Sequence, residues 1–156
     1  MDANYVLALA LGIGVVAGLR SLTAPAAVSW AAHLGWLNLG GSPLAFMGST
    51  AAVGLLSLAA VGEYVVDKLP KTPRRTLPPS LAFRIVAGGV SGACLCASAG
   101  QSLLVGAVLG GIGGVVGGYA GYEARTRLVR GLNVRDILIA IPEDLVAIGL
   151  AYFLVR

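Results

Sequence analysis

The sequence predicts an all-helical membrane protein, and three observations lead to this fold class. Residues of the hydrophobic set make up 57% of the 156-residue chain, and glycine contributes 23 further residues. Charged residues make up only 12% of the chain, about half of the share in a typical soluble domain. No Asp, Glu, Lys or Arg occurs from 21 to 62 or from 85 to 122, and each run can hold two membrane-spanning helices. This composition excludes a disordered chain, a nucleic-acid-binding module and an ordinary cytosolic enzyme.

Prolines and turn residues divide the chain into six apolar segments within one polytopic membrane domain, 1–156. They predict five full transmembrane helices and one short or broken helix, at about 4–19, 24–35, 44–68, 81–97, 103–124 and 137–155. Thr23 and Pro25 are typical of a helix start just after the first segment. The second segment is about 18 Å of helix, which is too short to cross a membrane alone. We therefore expect a broken or re-entrant helix there, shielded by protein.

Two basic loops predict the orientation in a bacterial inner membrane. The turns at 36–44 and 98–102 contain no Lys or Arg, whereas the loops at 68–80 and 123–136 are rich in them. The positive-inside rule therefore predicts that both basic loops are cytoplasmic. The C-terminus then lies outside, and the N-terminus lies outside only if the second segment crosses the membrane.

Short internal similarities are consistent with a weak 3+3 inverted repeat, an arrangement common in transporters. The stretch 16–18 resembles 86–88, and 58–63 resembles 138–143. The two matches need different offsets along the chain, so they support the repeat only weakly.

The fifth segment carries two adjacent rows of glycine at a spacing of four residues. The rows are Gly106, Gly110, Gly114 and Gly118, and Gly113, Gly117 and Gly121. Small residues at this spacing let another helix backbone approach closely, so we predict glycine-zipper packing. The partner helix could belong to this chain or to a second copy in a homo-oligomer, and a glycine-lined pore wall is the alternative. No GK[ST] element follows that would indicate a phosphate-binding loop.

Ionisable side chains within the apolar segments are the candidate functional residues. Each costs about 2.5–3.5 kcal/mol on insertion scales unless it is paired or hydrated. We predict that four of them line a polar cavity or ion path, with structural ion pairs near the membrane interface as the alternative. The four residues are Arg20, Glu63, Arg84 and Glu143.

Four of the charged residues also carry more specific expectations. Glu63 and Arg84 flank the same loop at matched distances from its ends. An ion pair between them, direct or through water, is expected because either charge alone is costly in low dielectric. Asp67 and Asp144 are expected at the interface.

The basic loop after the third segment gives a weaker indication of lipid binding, and the few cysteine and histidine residues bear on metal binding. Lys68, Lys71, Arg74 and Arg75 are candidate contacts for the headgroups of anionic membrane lipids, at about 1 kcal/mol per residue. The alternative is that they act as a topology signal alone. The chain has only two cysteines and one histidine, so we predict neither a metal nor another cofactor.

Three classes of function remain open. The first is a small channel or transporter for an ion or small solute, which requires a water-reachable cavity touching Glu63 or Glu143. The second is a lipid-phosphate enzyme centred on Arg20, Ser21 and Glu63, which requires Ser21 or Thr23 within reach of a carboxylate. Its Arg-Ser-x-Thr spacing loosely resembles a stretch of the undecaprenyl-pyrophosphate phosphatases. The third is a structural or assembly protein, which predicts a dry interior with paired charges. We assign no catalytic residue.

Several elements together resemble an uncharacterised bacterial family of integral membrane proteins, known as a domain of unknown function. They are Gly18 to Ser21 with Pro25, the stretches 34–37, 63–70 and 72–76, and Arg84 with Gly88. The E-x-x-x-D-K-x-P element from Glu63 to Pro70 is the most specific. Many relatives have Gly-Ile-Asn-Ala where this chain has Gly-Leu-Arg-Ser, so the chain resembles a divergent branch. The resemblance implies an integral membrane fold and supplies no activity.

Overall fold

A computed structural model describes residues 2–69 and 76–156 of the chain. These residues form α-helices and one short 3₁₀ helix, with no strand among them. The α-helices are α1 (Ala3–Leu19), α2 (Thr23–His33), α3 (Thr50–Val66), α4 (Pro78–Ser98), α5 (Leu103–Leu132) and α6 (Asp136–Val155), and the 3₁₀ helix is Ala45–Gly48. The all-helical prediction is confirmed for the described part of the chain.

Local sequence accounts for where several helices begin and end. Arg20 has an extended backbone and ends α1. The Ser49 side chain caps α3 by accepting a hydrogen bond from the Ala52 N–H at 3.1 Å. Pro78 starts α4 in the first turn, where its missing N–H has no helical partner to lose. Asn133 ends α5 in the left-handed conformation, with a φ of 48°, which asparagine tolerates better than most residues.

The helix bounds correct the predicted segments in three places. The third segment becomes helical only at Thr50, because Ser49 supplies the cap and a 3₁₀ helix precedes it. The fifth continues from 124 to Leu132, so the basic connector is helix rather than loop. The sixth begins at Asp136, immediately after this extension. Helix α1 ends and α2 begins within four residues, so the predicted helix break is confirmed.

Consecutive helices run in alternating directions. The end of α3 reaches the α1–α2 break, where Glu63 binds Ser21, and the start of α4 reaches the end of α1, where Arg84 binds Gly18. We call residues 20–22 the junction and the end of the bundle that contains them the charged end. Helices α2 and α6 both lead away from it, since Trp36 packs edge-to-face on Tyr152 at 5.9 Å. The start of α1 and the end of α6 therefore lie away from the charged end.

Glycine faces bring α1, α4 and α5 together at backbone distance. A Cβ added at Gly114 would lie 2.6 Å from the carbonyl oxygen of Arg84 on α4, and one at Gly106 would lie 2.5 Å from that of Gly92. The second row faces α1, where Gly113 and Gly117 contact backbone atoms around Val15. Because a side chain would separate these backbones, the glycines permit the close approach. The contact partners lie within this chain.

Three helices of the described chain, α4, α5 and α6, are long and apolar enough to cross a membrane. The sequence predicted five such helices. Helices α1 and α3 are apolar but have 17 residues each, because the junction ends α1 at Leu19 and the Ser49 cap starts α3 only at Thr50. Three apolar helices of this length are typical of a membrane protein.

Candidate functional site: a charged cluster at the helix break

Arg20 is the centre of a charged cluster at the junction. It follows the last residue of α1 and its side chain is fully buried, with 0% relative exposure. Its guanidinium forms ion pairs with Asp67, which caps the end of α3, and with Asp144 of α6. Breaking a buried pair leaves an uncompensated charge in low dielectric. The contacts therefore tie the helix break to two other helices.

Asp144 is shared by two cations. Its Oδ1 pairs with Arg20, and its Oδ2 lies 3.4 Å from the Nζ of Lys68. The Arg20 side chain is buried, whereas that of Lys68 is 35% exposed. Together with Asp67, these residues make two positive and two negative charges, so the cluster is balanced. Asp144 nevertheless has one partner inside the bundle and one at its edge.

Glu63 binds the backbone that follows the break. Its carboxylate accepts hydrogen bonds from the N–H groups of Ser21 and Leu22, both at 2.8 Å, and from the Ser21 hydroxyl. A helix start leaves N–H groups without helical partners, and a carboxylate there is also favoured by the helix dipole. Glu63 therefore acts as a cap supplied by α3 for the start of α2.

Arg84 binds the backbone that precedes the break. Its side chain is buried, and its Nη1 donates to the carbonyl oxygen of Gly18 at 2.5 Å and that of Ala17 at 3.5 Å. The direct Glu63–Arg84 pair expected from the sequence is not among the contacts of the described residues. The physical reason is that the break exposes N–H groups on one side and carbonyls on the other, and each charged side chain binds the groups of opposite polarity: the carboxylate accepts from the N–H groups, and the guanidinium donates to the carbonyls.

Tyr64 of α3 and Thr23 of α2 complete the site. The phenolic oxygen of Tyr64 lies 2.6 Å from the hydroxyl oxygen of Thr23. The guanidinium carbon of Arg20 lies 5.4 Å from the centroid of the Tyr64 ring, within the range of a cation–π contact. Tyr64 thus links the charged cluster to the first turn of α2.

Glu143 lies in a second group rather than in the Arg20 cluster. Its carboxylate is 3.5 Å from Nη1 of Arg125 on α5. Arg125 also donates from Nε to Asp136 at 2.7 Å. This group joins the end of α5 to the start of α6. Of the four residues predicted for the cavity, Arg20, Glu63 and Arg84 meet at the junction, and Glu143 is not among the residues bound there.

Sequence reasoning missed Asp67 and Asp144, which it assigned to the interface. Asp144 is buried, with 8% exposure, and Asp67 pairs with buried Arg20. A signal was present for Asp144, because it falls on a helical row of buried small residues on α6. The row is Ala140, Asp144, Ala147, Ala151 and Val155. A carboxylate in such a row faces the bundle.

The predicted lipid contacts lie only partly within the described chain. Lys68 is described and pairs with Asp144, whereas Lys71, Arg74 and Arg75 lie outside the described residues. Among the described residues, no group of three His, Cys, Asp or Glu side chains comes together to hold a metal ion.

A cavity of about 390 Å³ lies beside the cluster, between α2, α3 and α6. Thr23 and Tyr64 line it near the junction, and Trp36 and Tyr152 line it at the far end. Its walls are almost entirely apolar. This cavity is therefore suited to hydrocarbon rather than to a hydrated ion.

The structure defines a class of protein: an all-helical bundle with membrane-type helices and a buried charged cluster at a helix break. Within this class, the chain belongs to the family described as domain of unknown function (DUF4126), whose model matches residues 7–156. The match covers nearly the whole chain, so the resemblance to an uncharacterised family is confirmed. No curated protein and no solved structure matches the chain.

Proposed function

We propose that this protein is a small channel or transporter that moves an ion or small solute across a membrane, with the Arg20 cluster as its coupling site. The observation that carries the proposal is the fully buried Arg20, bound by carboxylates from α3 and α6 at the break between α1 and α2. Ionisable groups inside a membrane are costly and mark permeation paths or proton relays.

The proposed setting is a bacterial inner membrane with the charged end toward the cytoplasm. Helices α1 and α3 are each about 26 Å long, close to the hydrocarbon thickness of about 30 Å, and small mismatches cost little. These two helices with α4, α5 and α6 make five spans, and α2 is the short sixth element. The alternating helix directions support a location of both termini outside. The basic loops then lie in the cytoplasm, as the positive-inside rule requires.

The Asp144 carboxylate is the best candidate for a group that changes partner during transport. It binds buried Arg20 on one side and partly exposed Lys68 on the other. Loss of the negative charge of Asp144, as in Asp144→Asn, would weaken both contacts and free α6 from Arg20 at the end of α1. Arg20 Nε is buried and has no hydrogen-bond partner among the described residues, which leaves a donor for a water molecule or a solute. In this proposal, the charge of Asp144 therefore controls the position of α6.

A structural role without transport is the second candidate, and a specific observation favours it. The charges around Arg20 balance one another, and glycine contacts fill the space between α1, α4 and α5. Such a dry interior is what an assembly protein would need. The lipid-phosphate enzyme has less support. The Ser21 hydroxyl does reach Glu63, but that carboxylate already accepts two backbone N–H groups and has little capacity left to act as a base.

Flux measurements on the purified chain in proteoliposomes test the proposal. Uptake of protons, alkali cations, halides and small organic ions would be followed at acidic and neutral internal pH. We expect flux in the wild type that is lost in Asp144→Asn. The matched control is Arg127→Gln, since Arg127 forms an exposed ion pair with Glu123 on α5, and it should transport normally. Absence of flux under every condition would overturn the transport proposal in favour of the structural role.

A further inference from the structure

The cavity between α2, α3 and α6 has walls that suit a hydrocarbon chain. The polar side chains that line it bond to one another: the Thr23 hydroxyl lies 2.6 Å from that of Tyr64, and Trp30 Nε1 donates to Ser57 Oγ at 2.9 Å. The rest of the lining is almost entirely apolar. A polar ligand would lose its hydration here and gain few hydrogen bonds in return. The fitting occupant is therefore alkyl.

The cavity opens at the surface of the bundle rather than into its centre. Trp30, Leu34, Trp36 and Tyr152 all line it, and their exposed fractions are 47%, 52%, 45% and 49%. In a membrane this part of the surface faces lipid. Acyl chains are then the hydrocarbon present at the opening, and the volume of about 390 Å³ falls within the usual range for ligand sites.

A partly exposed lysine lies at the end of α3, beyond the Tyr64 end of the cavity. Tyr64 lines the cavity, and Lys68 follows four residues later, just past the last residue of α3 at Val66. The Lys68 side chain is 35% exposed, although its Nζ lies 3.4 Å from Asp144 Oδ2, so one side of its ammonium group remains open to a further anion. Basic residues next to a lipid surface attract anionic headgroups.

We propose that this groove binds one acyl chain of an anionic phospholipid, with the lipid phosphate beside Lys68. The alkyl part would lie along α2 between Ala60 and Ile148, toward the aromatic pair of Trp36 and Tyr152. The site does not depend on transport and would hold equally for a structural protein. A second copy of the chain is the other occupant that could cover this face, and the experiment distinguishes the two.

Quenching of tryptophan fluorescence reports on the groove directly. The chain has two tryptophans, Trp30 and Trp36, and both line the cavity. The full chain would be reconstituted in phosphatidylcholine vesicles containing a small fraction of phospholipid with brominated acyl chains, which quench nearby tryptophan. Brominated phosphatidylglycerol and brominated phosphatidylcholine would be compared at the same mole fraction. We expect the anionic lipid to be enriched about fivefold at the site, the factor for one lysine beside an anionic headgroup.

Three variants make the result specific to the groove. Lys68→Gln should remove the preference for the anionic lipid while both lipids still quench. Ala60→Leu should reduce quenching by both lipids, because Ala60 lines the cavity and is only 7% exposed. Gly54→Leu on the same helix is the matched control, since a Cβ there meets nothing within 4 Å, and it should behave as wild type. Thermal stability of each variant would be measured to confirm folding.

Two results would overturn the proposal. Equal quenching by the two lipids, unchanged in Lys68→Gln, would mean that the groove has no anionic lipid site. Quenching by neither lipid would mean that a second copy of the chain covers the groove.

Discussion

Glu63 and Arg84 bind opposite sides of the same helix break. Glu63 accepts hydrogen bonds from the N–H groups of Ser21 and Leu22, which follow the break, and Arg84 donates to the carbonyl of Gly18, which precedes it. Buried backbone N–H and carbonyl groups need a hydrogen-bond partner. The Glu63 carboxylate and the Arg84 guanidinium therefore replace the backbone hydrogen bonds that these groups would form within a continuous helix.

The first prediction concerns the cap at Glu63. Glu63→Ala should lower the free energy of unfolding by about 1–3 kcal/mol, because it leaves buried N–H groups without an acceptor. Glu63→Gln should cost less, since its amide oxygen can still accept one of the bonds. Thermal unfolding in detergent measures both. Glu123→Gln is the control, because the Glu123 side chain is 57% exposed, and equal effects at the two sites would contradict a capping role.

The second prediction concerns coupling between Arg20 and Asp144. Arg20→Gln should destabilise the fold by about 3–5 kcal/mol, because it leaves carboxylates without their buried cation. Asp144→Asn should cost less, since Asp67 still pairs with Arg20. The double variant should lose clearly less than the sum of the two, as partners do in a double-mutant cycle.

An exposed pair on α5 supplies the comparison for this cycle. Arg127 and Glu123 lie four residues apart on the surface, with side-chain exposures of 77% and 57%. Pairs of this kind couple by about 0.2–0.5 kcal/mol. If Arg20 and Asp144 coupled no more strongly than this, burial would not be strengthening their contact.

The charged cluster could be predicted only in part from the sequence. Arg20 and Glu63 stand out because each interrupts or ends a long apolar run. Their partners do not, because Arg20 reaches Asp67 and Asp144 across large sequence separations. Such contacts depend on how α3 and α6 are rotated about their axes. For α6 the alanine row around Asp144 carried this information but was not used in the prediction, whereas for α3 only the spacing between Glu63 and Asp67 was available.

The order of the helices was predicted better than their lengths. Apolar runs and the residues Thr23 and Pro25 predicted the helices and the break between α1 and α2. The end of α1 at Leu19 agrees with the predicted segment, whereas the late start of α3 reflects the cap at Ser49, which hydropathy does not report. The length of α5 was underestimated because its last turns are rich in charged residues, which were read as a connector, whereas the ion pair between Arg125 and Asp136 joins this helical end to the start of α6.

The third prediction concerns topology. Single cysteines introduced at Thr76 and Asn133 should react with a membrane-impermeant reagent only from the cytoplasmic side, and one at Asp2 only from outside. The reason is that the helix directions alternate and the basic loops share the charged end. The native Cys94 and Cys96 are buried, so the parent protein should react little and serves as the control. Labelling of Thr76 or Asn133 from outside alone would invert or refute the proposed orientation.

The last prediction compares two glycines in one row of α5. A Cβ at Gly114 would lie 2.6 Å from the carbonyl oxygen of Arg84, a backbone atom that cannot move without shifting α4. A Cβ at Gly118 would first meet side-chain atoms of Arg84 and Leu81, both at an ordinary 3.6 Å. Gly114→Ala should therefore destabilise the fold by about 1–3 kcal/mol through overpacking, and Gly114→Leu by more.

The matched variant, Gly118→Ala, should be neutral or slightly stabilising, because alanine favours helix over glycine by about 1 kcal/mol. Thermal unfolding of the three variants in one detergent measures the difference. Because both glycines lie on the same helix, one turn apart, helix propensity and membrane depth are nearly matched, and only the neighbouring atoms differ. Equal melting temperatures for Gly114→Ala and Gly118→Ala would mean that α4 and α5 do not approach at backbone distance. In that case, close packing between α4 and α5 would not be what holds Arg84 next to the end of α1.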